Sequence, residues 1–336
     1  MRTIIIRKDV PLPLRAALPG LAAALLAPLI TTACSQSPAA DVIAADGALC
    51  DITRRLAADD LRVSCLLRPS DDPHQVHLTP RQSRELRGAQ LVLINGYGLT
   101  PALEKLPRTV KVAELAVPGS PLLPGEVPPD ETHHTHAPDQ QGGAHRHGER
   151  DPHVWHDPRQ AAAMVQLVSA ELQRLSPRHG AAIQNRAQRM QTTLTALHRW
   201  NQRQFATIPG RPTLASGHRA FASLARAYNL NELAVLDADS ASSSLRPQQL
   251  TTVLGQLRRQ GVRSLFAEQL PAPKSLERIS ALSHVPIAPS PLLADNAGEN
   301  LMRTLTTNTC LIVEQLGGQC DRSREAALQR QWDAIR

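Results

Sequence analysis

The sequence predicts an α/β protein of two lobes, each a parallel sheet covered by helices, joined by one long rigid helix. Three observations predict it. Strand and helix patterns alternate as β-α-β-α-β between residues 41 and 115. The chain then turns strongly helical from Pro158 to about Ala206, and the alternation restarts at Pro212. At 336 residues the chain is long enough for two cores of ordinary size.

The elements follow in order. Residues 1–33 read as a signal peptide: Arg2, Arg7, Lys8 and Arg15 accompany an apolar run from Ala16 to Ile30. Pro19 and Pro28 break that run, which is too short for a good membrane span. Thr31-Thr32-Ala33-Cys34 resembles a bacterial lipobox, with Thr31 where Leu is usual. A lipid on Cys34 and a tether over 34–40 would hold a soluble domain at the outer face of a membrane.

Residues 41–175 are expected as the N-terminal lobe. Asp41–Asp46 reads as a strand, Cys50–Ala58 as a helix, and Leu61–Leu67 alternates as a strand. Pro80–Gly88 is a helix capped by Thr79, Leu91–Ile94 a buried strand, and Thr109–Leu115 another strand. Residues 117–151, rich in Pro and His, form a long loop. A helix is expected over Pro158–Leu175. Residues 176–208 are read as the linking helix, about 45 Å long for about 30 residues.

The C-terminal lobe, 209–336, repeats the alternation. Strands are expected at Pro212–Ser216, Glu232–Leu236, Val262–Ala267 and Val285–Ala288. Helices are expected at Ala220–Tyr228, Pro247–Gln260, Pro273–Leu282 and Glu299–Leu316.

Composition excludes several classes. Three Phe, three Trp and two Tyr, scattered over the chain, cannot build the clustered aromatic platforms of a sugar cleft or a single-strand nucleic-acid groove. The formal charge of +7 falls to +4 once the leader is removed. Its Arg residues are dispersed along helices, a solvated surface and not a nucleic-acid footprint. Besides Cys34, Cys50, Cys65, Cys310 and Cys320 form an even set in an exported chain, so disulfides are expected. Three pairings are possible. The local one, Cys50 with Cys65 and Cys310 with Cys320, is favoured, and no CxxC suggests a thiolate zinc site.

The 13 histidines carry the chemistry. His74 ends Pro69-Ser70-Asp71-Asp72-Pro73-His74 after a predicted strand. His153 lies in Asp151-Pro152-His153-Val154-Trp155-His156-Asp157 before a helix. His218 lies in Ser216-Gly217-His218-Arg219-Ala220-Phe221 between strand and helix. Ligands of open α/β sheets bind where loops leave the carboxyl ends of strands. Three neutral imidazoles converging there suit zinc. A further five, His133, His134, His136, His145 and His147, lie within 15 residues of the loop and are expected to bind zinc loosely and pass it inward.

The two Asp-Pro-His segments and Ser216–Phe221 resemble the ligand motifs of the zinc/manganese substrate-binding proteins of bacterial ABC importers. The resemblance extends to Asn95-Gly96-Tyr97-Gly98-Leu99, Ala267-Glu268 and Leu292–Gly298. It implies two α/β lobes with the metal between them, His74 and His153 as ligands from the first lobe, and His218 and Asp295 from the second. Asp295 or a water takes the fourth position. The resemblance also implies an ABC permease as partner, and we expect a monomer, anchored to the membrane by lipid and binding no nucleic acid. Ser70 stands where the family has Gly, and His156 where it has an apolar residue; a structural role is expected for His156.

Manganese members of the family tend to carry Glu at the position of His218. Three imidazoles and at most one carboxylate favour Zn2+ over Mn2+. Two other readings compete with import. A zinc hydrolase would need a base such as Glu268, but the chain has no HExxH, and His134-Thr135-His136-Ala137-Pro138-Asp139 lacks the His that completes a hydrolase run. A periplasmic zinc store or chaperone would work without a permease.

Overall fold

The fold is that of a computed structural model, which describes residues 40–68, 71–123, 150–236, 246–295 and 300–336. The leader, the tether with Cys34, and the five loop histidines lie outside these residues. Two parallel sheets organise the chain. The first has four strands in the order β2-β1-β3-β4: β1 Val42–Ala44, β2 Val63–Cys65, β3 Leu91–Ile94 and β4 Thr109–Lys111. Val42 pairs with Val63 on one side and Leu91 on the other. β1 and β3 are buried along their whole length, which their unbroken apolar runs anticipate for inner strands of a parallel sheet.

The second sheet has the order β6-β5-β7, from β5 Thr213–Ser216, β6 Asn231–Ala234 and β7 Leu265–Phe266. The expected strand at Val285–Ala288 is reduced to one parallel bridge, Leu265 with Ile287. Its flanking hydrogen bonds, Leu265 N to Pro286 O and Ala288 N to Leu265 O, are made. Pro286 has no N–H to continue the ladder, and Pro289 stops it on the other side.

Ten helices complete the described residues. In the first lobe these are α1 Gly47–Ala57, α2 Pro80–Gly88, α3 Val112–Ala116 and α4 Pro158–Leu175. α2 carries a full capping box, Thr79 with Gln82. β4 stops at Lys111, and Val112–Leu115 is helical and not strand. Helical winding buries Val112 and Ala113 and leaves Leu115 62% exposed. The Glu114 N–H then reaches the Asn95 carbonyl. The linking helix, α5, runs Gly180–Phe205 after a 3-10 turn at Pro177–His179. Its 26 residues span about 39 Å.

α6 Ala222–Tyr228, α7 Pro247–Arg259, α8 Lys274–Ser283 and α9 Leu301–Gln315 fall close to the expected helices. A tenth, α10 Arg322–Asp333, was not anticipated. It starts at an Asp321 cap and buries Glu325, Leu328 and Trp332.

α5 and α9 each cross from one core to the other. Ile183, Met190, Leu194, Leu197 and Trp200, spaced by three to seven residues, pack with α1, α4 and β1; Phe205 enters the second core. Leu301, Met302 and Leu305 lie in the first core, Leu311 to Val313 in the second. Disulfides join Cys50 to Cys65 and Cys310 to Cys320, the local pairing. No described helix is long and apolar enough to cross a membrane.

Candidate metal centre

The carboxyl ends of the strands carry the loops that meet between the lobes. Past β2, Asp72 caps a 3-10 turn over Pro73–Gln75 by accepting from the His74 N–H at 2.8 Å. Proline fixes the turn's first φ, so the Asp-Pro-His order sets where the His emerges. The same three residues recur at 151–153. There Asp151 Oδ1 accepts from the His153 N–H and from its ring Nδ1, both at 2.9 Å. Beyond β5, His218 follows Gly217, whose N–H bonds the Phe266 carbonyl at 3.0 Å.

Asp295 sits in a loop pinned from two sides. Asn308 of α9 accepts from the Leu293 N–H at 3.1 Å and donates to the Leu293 carbonyl at 2.6 Å. His156 Nε2 lies 3.0 Å from the Ala294 carbonyl and ties the loop to the first lobe.

His74, His153, His218 and Asp295 come together, with one ligand atom from each lying within 4.8 Å of the others. The three ring centroids form a near-equilateral triangle of 5.5, 5.8 and 5.9 Å. Asp295 Oδ1 is 2.6 Å from His153 Nε2 and 3.4 Å from His74 Nε2, and its Oδ2 is 3.3 Å from His218 Nε2. Tetrahedral zinc with bonds of about 2.0–2.1 Å separates its ligand atoms by roughly 3.3 Å. The distances from Asp295 to His74 and His218 match that spacing, and the shorter one to His153 is that of a direct hydrogen bond. Their side chains are between 0 and 19% exposed.

The field of the site is unusual. Burial opposes charge on His153, but Asp295 and Asp151 outweigh it and push the ring up to about 9. Burial likewise opposes charge on His218, and Asp295 and Glu268 raise it well above its ordinary value. Asp295, despite burial, is held well below the usual carboxylate range by His218 and His153. Asp46, which caps α1 and accepts from Asn95 Nδ2 at 2.8 Å, is pushed up to about 6 by its burial.

His156 does not join the cluster. It is buried, bonded to Ala294, packed 4.7 Å from the Phe221 ring, and lowered to about 4 by burial and by the His153 charge. Cys310, Cys320 and Glu314 also lie close enough for a metal, but both sulfurs are in the disulfide.

Two carboxylates named in the sequence motifs prove to be partners of the histidines. Asp151 is fully buried; its second oxygen accepts from Ser223 N at 3.0 Å and Ser223 Oγ at 2.8 Å. It therefore joins His153 of one lobe to α6 of the other. Glu268 bonds His218 Nδ1. The sequence marks Asp151 as the acid two residues before His153, and Glu268 as part of the Ala267-Glu268 pair and as a candidate hydrolase base, but neither as the partner of a histidine.

Similar proteins share this architecture. The metal-binding protein YtgA of Chlamydia trachomatis is 26% identical over 301 residues, covering 82% of this chain and 86% of its own. The crystal structure of its Fe(III)-bound form superposes with a TM-score of 0.70 at 24% identity, over 83% of this chain and 99% of that one. The zinc-binding protein TroA of Treponema pallidum is 25% identical over 79% of this chain and 84% of its own. Its structure gives a TM-score of 0.69, covering 83% and 99%. The manganese-binding lipoprotein MntA of Bacillus subtilis is 24% identical over 77% of this chain and 83% of its own. The family model described as zinc-uptake complex component A, periplasmic (ZnuA), matches residues 42–315, and the chain belongs to that family of metal-binding components of ABC importers.

Proposed function

We propose that this importer component captures Zn2+ outside the cytoplasm through His74, His153, His218 and Asp295 and hands it to its ABC permease. The observation that carries the reading is the convergence of three imidazoles and one carboxylate within 4.8 Å. Related proteins are named for zinc, manganese and iron, so family membership leaves the metal open. The donor set supports zinc: borderline imidazole nitrogen suits Zn2+, whereas Mn2+ prefers oxygen. Asp295 is the fourth ligand in this reading, in place of water. Anchoring through Cys34, a monomeric state, and loose zinc capture by His133, His134, His136, His145 and His147 complete the proposal. Family membership sets the hydrolase alternative aside.

Calorimetry on the mature protein lacking residues 131–149 tests the site. One zinc should bind tightly, and His74→Ala should remove most of the affinity. Unchanged binding in His74→Ala would overturn the ligand set. Loss of the tight site on deleting the loop alone would mean that the loop supplies a primary ligand. A permease and ATPase encoded beside the gene would support delivery to a permease; their absence would favour a zinc store or chaperone.

A further inference from the structure

Resting on the zinc reading above, we infer that Glu268 is a positioning residue for His218, fixing which ring nitrogen faces the metal and biasing the site toward zinc over manganese. The inference begins in strand register. β5 and β7 pair in parallel, Ala215 with Leu265 and Ser216 with Phe266. Two residues past that pair on each chain stand His218 and Glu268, in the loops that leave the carboxyl ends of neighbouring strands. The Gly217 N–H to Phe266 carbonyl bond closes that last pair. Register brings the two loops side by side, and the two side chains meet there.

Their contact is directional. Glu268 takes His218 Nδ1, while His218 Nε2 points to Asp295 at 3.3 Å. A carboxylate on Nδ1 requires the proton there, which frees Nε2 as the donor atom toward the cluster. It also makes the imidazole a stronger donor. Without it the ring can rotate or adopt the other tautomer, and Nε2 would carry a proton into the site. His153 has the equivalent partner in Asp151. Asp151 is fully buried and also holds Ser223, so its removal would disturb the packing between lobes. Glu268 is 32% exposed, and its substitution leaves no buried unpaired charge on the carboxylate side. Selectivity follows from the same bond. A more basic imidazole favours zinc, whose affinity depends on nitrogen donors, more than manganese, which depends on oxygen.

A double-mutant cycle of Glu268→Ala and His218→Ala on the mature full chain tests this, with zinc and manganese affinities measured separately. Loss of an outer carboxylate typically weakens metal binding by about 10–100-fold. Glu268→Ala should weaken zinc by about that factor and manganese by clearly less. In the His218→Ala background, Glu268→Ala should have no further effect on zinc. Glu268→Gln, which keeps an acceptor oxygen but not the charge, should recover part of the loss, and it serves as the test if the alanine variant fails to fold. Cobalt substitution gives a further readout, because a rotated imidazole changes the visible absorption of the bound ion. Equal weakening of both metals, or an undiminished Glu268 effect in the His218→Ala background, would overturn the inference. If His218→Ala itself keeps wild-type zinc affinity, the zinc reading fails and not the positioning role alone.

Discussion

At the scale of single residues the site is a balance of charges. In the metal-free protein two raised imidazoles face one depressed carboxylate. His153, raised to about 9 from an unfolded value of about 6.5, contributes stability that is fully present below 6.5 and lost as pH rises through 9. Asp295 has the opposite sign: its contribution is present above the ordinary carboxylate value and lost only as pH falls through its depressed one. Zinc needs the imidazoles neutral, so its own stabilisation grows over the range in which the metal-free contribution declines. At about 100 times its dissociation constant a bound metal adds roughly 2.7 kcal/mol. Thermal scans at pH 6, 7.5 and 9 should show the zinc-induced rise in Tm increasing with pH, with manganese giving a smaller rise. A zinc effect as large at pH 6 as at pH 9, or equal effects of the two metals, would point to a carboxylate-dominated site. The three histidines can be found in sequence because each lies in a short motif beside a predicted strand or helix. The partners that orient them were harder to see. Glu268 lies 50 residues from His218, and Asn308, which pins the Asp295 loop, is a buried Asn in the middle of α9. Only strand register and helix packing bring such residues together.

At the scale of elements, what could be read depended on how strongly each pattern was marked. α2 and α4 match the expected ranges end to end, because Thr79-Pro80 and Asp157-Pro158 place a cap and a proline at each start. β3 matches for a similar reason: its apolar run stops at Asn95-Gly96. The short strands shrank, since apolar patterning continues past the last ladder bond. α10 was missed because Arg, Gln and Glu dominate it and leave only a sparse apolar stripe. That stripe nonetheless matters. The Trp332 indole N–H donates to Asp51 Oδ2 at 2.7 Å, beside the Leu301 N–H at 2.9 Å on the same oxygen. Arg55 completes the hub, bonding Asp51 and lying 5.5 Å over the Trp332 ring. Asp51 thereby ties α1 to the start of α9 and the end of α10. Trp332→Phe keeps most of the apolar bulk but removes a hydrogen bond to a buried carboxylate, a loss of about 1.5–3 kcal/mol. Urea unfolding should show that loss while zinc affinity stays within about twofold of wild type. A parallel fall in zinc affinity would mean that α10 helps to hold the metal site.

At the scale of the whole molecule the question is how far the lobes move when metal is loaded. α5 and α9 both pass through the two cores, so a hinge would have to bend two packed helices. Polar contacts add to the constraint at the seam. Asp151 bonds Ser223, His156 meets the Ala294 carbonyl, and Arg226 donates to the Gly119 carbonyl at 2.9 Å. The Asp151 carboxylate is fully buried, and breaking its bond exposes or orphans a charge, which is costly. Wide closure of the hinge type uses a few loop residues that absorb the change, and here two continuous helices cross the seam. Pre-organised binding proteins move by about 1 Å or less, whereas hinge rearrangements exceed about 2 Å. Spin labels at the exposed positions 87 on α2 and 258 on α7 would report the separation directly. Adding zinc to the metal-free protein should shift their distance by less than about 1 Å. Protection from amide exchange should rise in the loops carrying His74, His153, His218 and Asp295, and remain unchanged along α5. A shift above about 2 Å, or loosening of α5 in the metal-free protein, would show that the linking helix bends and that capture proceeds by closure of the lobes.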